Sequence, residues 1–163
     1  MKQIVIKFTV AKGIASFMMF KMFGHKYTHA SLGLDAKGDE FYSFAFKGFS
    51  MERKRTKTPK NWRENYAYNY IEVEDAVYYK LVEQIEYFKK NRKKYKYSNL
   101  EVFCAFIGIP YKAKNSYYCS YFVAELLASS GIYTFKKSPS LYLPHYLFNE
   151  MKQYSYVEYT CES

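Results

Sequence analysis

The sequence predicts an α+β domain: an antiparallel sheet with helices gathered against it. Three observations carry this. Residues 27–34 and 66–73 alternate apolar and polar side chains like half-buried strands. Residues 76–91 and 117–131 carry apolar residues at helical spacing. Asp35-Ala36-Lys37-Gly38 reads as a hairpin turn, and a hairpin makes its two strands antiparallel neighbours.

Taken in order, Gln3 to Val10 is β-branched and predicts a strand, and Gly13 to Phe23 predicts a Met- and Phe-rich helix ended by Gly24. Tyr27 to Leu34 is a strand with two faces. Thr28, Ala30, Leu32 and Leu34 lie on one; Tyr27, His29, Ser31 and Gly33 lie on the other. If Asp35 pairs with Asp39, His29 stands opposite Ala45, Ser31 opposite Ser43 and Gly33 opposite Phe41. That register makes His29 and Ser43 diagonal neighbours on a face of small residues, expected to lie under a closely packed helix.

Lys47 to Asn65 is basic and turn-rich, contains Pro59 and Trp62, and reads as a long surface loop. Tyr66 to Val73 is a strand. Asp75 is placed to cap a helix from about Ala76 to Asn91, with Val77, Leu81, Ile85 and Phe88 inward. Asn99 to Ile109 predicts a helix stopped by Pro110. After it comes a helix from Tyr117, capped by Asn115 or Ser116 and ended by Gly131. Pro144 suits the first turn of a helix over His145 to Lys152, and Tyr154 to Thr160 predicts a closing strand. With no repeat and no linker, residues 1–163 read as one domain.

Composition narrows the function classes. Apolar residues at 49% with only 7 Gly and 4 Pro exclude a disordered chain. The net charge of +10 favours anionic polymers or acidic membrane surfaces as partners, with no motif for specific nucleic-acid recognition. Three cysteines without a Cys-x-x-Cys pair argue against a disulfide framework and a Cys-rich zinc site. His25 and His29 lack a third ligand, so no metal or other cofactor is expected. Lys7 interrupts the first apolar run and the Gly13–Phe23 stretch is too short to span a bilayer, so the expected address is cytoplasmic.

The chemistry centres on Cys119. It opens the 117–131 helix, and Phe122, Val123, Leu126 and Leu127 follow on the same stripe. At a helix start, unpaired N–H groups and the dipole favour an anion, and the thiolate is the attacking form of cysteine. Such a nucleophile needs a base. Of the three histidines, His25 and His145 sit at element ends with surface roles expected, whereas His29 lies within a strand.

The order Tyr27-Thr28-His29-Ala30-Ser31, Phe41-Tyr42-Ser43-Phe44, Cys119-Ser120-Tyr121-Phe122-Val123-Ala124-Glu125-Leu126-Leu127 and Ser138-Pro139-Ser140-Leu141-Tyr142-Leu143-Pro144 carries a resemblance. It resembles the circularly permuted, YiiX-like branch of the NlpC-type papain-like cysteine peptidases, itself similar to the lecithin:retinol acyltransferase group. The resemblance runs from the first strand to Pro144. It implies a permuted papain-like fold, Cys119 as nucleophile and His29 as general base. It also implies a third residue that orients the imidazole, best matched by Ser43. Relatives often carry Glu, Gln or His there, and a serine supplies no charge to an imidazolium. Tyr121 stands where relatives usually carry Gln or Glu. Tyr42, Tyr118, Ser120 and Tyr121 are the candidates for substrate contact.

The implied reaction is attack on an amide or ester carbonyl through an acyl-enzyme. The bacterial relatives imply cell-wall peptide amides as substrate, and the acyltransferase relatives imply a lipid ester or amide. The rival from another class is a basic binding module without activity, touching anionic polymer or lipid.

Overall fold

The computed structural model describes residues 1–10, 14–54 and 66–160. Pro59 and Trp62 of the expected loop, and Cys161, lie outside them. Strands β1 (Lys2–Thr9), β2 (His29–Gly33), β3 (Glu40–Ala45), β4 (Gly48–Arg53), β5 (Tyr66–Val73) and β8 (Tyr156–Thr160) form an antiparallel sheet. The strand order is β4-β3-β2-β1-β5-β8. Two short strands, β6 (Lys96–Tyr97) and β7 (Ser116–Tyr117), pair in parallel beside it. With helices α1 (Ile14–Phe23), α2 (Asp75–Lys90), α3 (Asn99–Phe106), α4 (Cys119–Ser130) and α5 (Pro144–Met151), the architecture is α+β. Among the described residues no helix is long and apolar enough to cross a membrane.

The hairpin forms as its turn residues require. The Asp35 carbonyl accepts from the Gly38 N–H, the Asp35 carboxylate accepts from the Lys37 N–H, and Leu32 faces Tyr42, the register that pairs Asp35 with Asp39. Past this point the structure departs from expectation. The segment after Lys47 is not all loop, because Gly48–Arg53 returns along β3 as an edge strand, pairing Ala45 with Gly48 and Phe41 with Glu52. Gly48 takes φ of 92°, and a Cβ there would lie 3.0 Å from the Tyr95 carbonyl oxygen, so a side chain would be both strained and crowded.

The helix-covered face is also the opposite of the expected one. Ile4, Ile6 and Phe8 of β1, Ala30 and Leu32 of β2, and Tyr42 and Phe44 of β3 form the core with Leu81, Ile85 and Phe88 of α2 and Phe122 of α4. The Phe122 ring lies 5.0 Å from those of both Phe44 and Phe88, which seats α4 across β2 and β3. The second face carries Val5, Phe41, Tyr66 and Tyr68. Lys7, Ser31 and Ser43 are buried as well. β2 is thus closed on both sides, and small residues on one face do not mark where a helix packs.

Helix ends differ in detail. Asp75 is the first residue of α2 and pairs with the N-terminal amine at 3.2 Å instead of capping, the cap position being Glu74. Ser98 caps α3 by accepting the Glu101 N–H. Ser116 lies in β7, so α4 begins after Tyr118, whose side chain makes no capping bond; Gly131 ends the helix at φ of 88°. His25 is buried, stacked 5.0 Å from His145 and 5.8 Å from Phe106, so the surface role expected for it is corrected.

Candidate active site

Cys119 and His29 come together because of where their elements begin. Cys119 is the first residue of α4 and His29 the first of β2, and α4 packs on β2 and β3. The Cys119 thiol is buried and close enough to the His29 ring to raise the pKa of the imidazole. The ring's Nε2 is 2.5 Å from Oε1 of Glu52 on β4, which leaves Nδ1 as the nitrogen available to the thiol. The other Glu52 oxygen takes the buried Lys7 ammonium at 3.1 Å. The Lys7 ammonium also sits 4.5 Å from the Phe41 ring centre. Cys119, His29, Glu52 and Lys7 are therefore one line of contacts.

The charges follow from this line. Burial alone would lower the His29 pKa, but its interactions with Cys119 and with the Glu52 carboxylate raise it to about 10. For Glu52 burial acts upward; the His29 hydrogen bond and charge, together with Lys7, prevail and hold the carboxylate at about 2. An imidazolium flanked by a carboxylate is what a neighbouring thiolate needs in order to persist.

The serine expected to orient His29 does not do so. Ser43 is fully buried and its hydroxyl donates to the Ala30 carbonyl at 2.7 Å. Glu52 stands in that place. Its signal in the sequence was Phe46-Lys47 as a turn, followed by the six-residue segment Gly48–Arg53 that can mirror Glu40–Ala45, with Glu52 arriving opposite Phe41 on the His29 face.

The expected substrate contacts are mostly core. Tyr42 is buried on the helix-covered face with its hydroxyl donating to Glu40 at 2.9 Å. Tyr118 is buried and donates to the Ser140 carbonyl at 2.8 Å. Tyr121 is buried with its ring 4.8 Å from that of Tyr117. Ser120 is fully buried and its hydroxyl has no partner among the described residues. Tyr97, which sequence reading passed over, packs against the Cys119 cluster. Burial and then the Cys119 charge raise its pKa. At the start of α4 the backbone N–H groups of Cys119, Ser120 and Tyr121 have no acceptor within the helix, while that of Phe122 reaches the Tyr118 carbonyl. These three donors beside the thiol can hold an anion.

Among the described residues no group of three His, Cys, Asp or Glu is placed to hold a metal ion. Comparison with known proteins adds no relative: no family model, no curated protein and no solved structure matches the chain.

Proposed function

We propose that the chain is a cysteine-dependent enzyme of permuted papain-like fold that cleaves or transfers an acyl group at an amide or ester carbonyl. The observation that supports it most is the His29 ring held between the Cys119 thiol and the Glu52 carboxylate. In this reading the thiol proton rests on His29, as a thiolate–imidazolium pair, before substrate arrives, and the sulfur bonds to the substrate carbonyl carbon. The resulting oxyanion is held by the free N–H groups at the start of α4. The imidazolium then gives its proton to the leaving amine or alkoxide as the C–N or C–O bond breaks. Water, an amine or a hydroxyl resolves the thioester, with His29 again accepting the proton. Glu52 holds the ring in the useful tautomer and stabilises its charged form.

Selective alkylation tests the reading. Iodoacetamide at neutral pH, read by peptide mapping, is expected to label Cys119 ahead of Cys104 and Cys161, and His29→Ala is expected to remove the preference. Equal labelling of all three thiols in the wild-type protein defeats the proposal.

A further inference from the structure

Helix α3 turns two unlike faces to its surroundings. Val102, Ala105 and Phe106 pack inward against the cluster that contains Cys119. Leu100, Phe103 and Ile107, at i, i+3 and i+7, form one outward row and are 55%, 60% and 54% exposed. Ile109 continues it at 51%. The end of α1 adjoins this surface, with the Phe23 ring 4.9 Å from that of Phe106 and Met22 and Phe23 both exposed. A row of large apolar side chains of this extent is rarely left to water without a purpose.

The two segments that carry this surface are predominantly basic. Across residues 14–26 and 99–115 the basic residues are Lys21, Lys26, Lys112 and Lys114, and the only acid is Glu101. Glu101 is buried, and burial also raises its pKa. Lys112 is met in part by Glu125 at 3.6 Å. An apolar face on segments that carry four lysines and one buried acid complements a lipid surface whose headgroups are negative and whose interior is hydrocarbon.

We infer that the outer face of α3, with the end of α1, docks on an anionic bilayer and sets the Cys119 side of the molecule toward it. The thiol cluster lies on the inner side of the same helix, about one helix diameter (roughly 10 Å) from the docking row. Docking does not depend on the chemistry at Cys119, so the two claims are tested apart.

The test is flotation with vesicles of phosphatidylcholine alone or with phosphatidylglycerol at about one lipid in four. The wild-type chain and Cys119→Ala are both expected to float with the anionic vesicles and not with the neutral ones. The combined Leu100→Ser, Phe103→Ser and Ile107→Ser variant is expected to lose roughly tenfold or more of its binding, since each change removes exposed apolar surface. Its Cys119 alkylation should be unchanged. Lys114→Glu should weaken binding most at low salt, with the difference from wild type shrinking as salt rises. If the triple variant does not fold, Met22→Ser with Ile109→Ser reads the same surface. Absence of binding, undiminished binding by the serine variants, or equal binding to neutral vesicles overturns the inference. So does a wild-type dimer that the serine variants dissociate, because the face would then belong to a second copy of the chain.

Discussion

Replacing Glu52 by Gln keeps the shape and an oxygen acceptor but removes the charge that His29 faces at 2.5 Å. A hydrogen bond to a charged group is worth about 1.5–3 kcal/mol net. Coulomb attraction between unit charges about 4 Å apart at an effective dielectric of about 20 sets a ceiling near 4 kcal/mol. Taking about 2–3 kcal/mol, at about 1.4 kcal/mol per pKa unit, the His29 titration should fall from about 10 by roughly 1.5–2 units. The assay is the pH titration of the His29 ring nitrogens by NMR, paired with the rate of Cys119 alkylation at neutral pH, which is expected to drop. The substitution also strands Lys7, whose side chain is only 6% exposed, and an uncompensated buried charge costs about 3–5 kcal/mol. Lys7→Met in the same chain should restore the melting temperature without restoring alkylation, separating charge support from folding. A His29 shift below about half a unit with alkylation unchanged refutes the role given to Glu52.

Two further outcomes follow from the same line of contacts. Ser43→Ala should cost about 1–2 kcal/mol, because the Ala30 carbonyl loses its donor in a buried setting, and should leave His29 titration and Cys119 alkylation as they were. A collapse of alkylation in a folded Ser43→Ala chain would return the orienting role to that serine. Stability should also track pH with opposite signs at the two partners. Glu52, depressed from 4.5 to about 2, adds stability that is whole above about pH 4.5 and lost as pH falls through about 2. His29, raised from 6.5 to about 10, adds stability that is whole below about pH 6.5 and lost as pH rises through about 10. The melting-temperature difference between wild type and Glu52→Gln should therefore shrink on acidification below about pH 4.5, and constancy down to pH 2 would contradict the depressed carboxylate.

Much of the frame was legible because local chemistry decides it. Asp35-Ala36-Lys37-Gly38 set the β2–β3 register, Gly131 set the end of α4, and the apolar stripe from Cys119 set its position. Glu52 was missed because β4 is an edge strand. With one neighbour only, it carries Ser50, Glu52 and Arg53 among Phe49 and Met51, and it runs directly into Lys54 and Arg55. A basic, polar composition there reads as loop. The covered face of β2 was misjudged because burial on both sides erases the contrast between faces. Tyr42, Tyr118 and Tyr121 looked like cleft residues by proximity in sequence to the site. Their hydroxyls and rings are engaged in packing, which no local pattern records.

The order of parts along the chain carries a last consequence. His29 and Glu52 arrive on one continuous meander, β2–β3–β4, whereas Cys119 arrives much later on a helix that must dock across those strands. Until α4 seats, the thiol has neither partner and behaves as any other cysteine. In the proposed function, activation of Cys119 is thereby tied to completion of the core around Phe44, Phe88 and Phe122. A nascent or partly opened chain would hold the proposed nucleophile unarmed, and the rate of Cys119 alkylation would serve as a built-in gauge of helix docking.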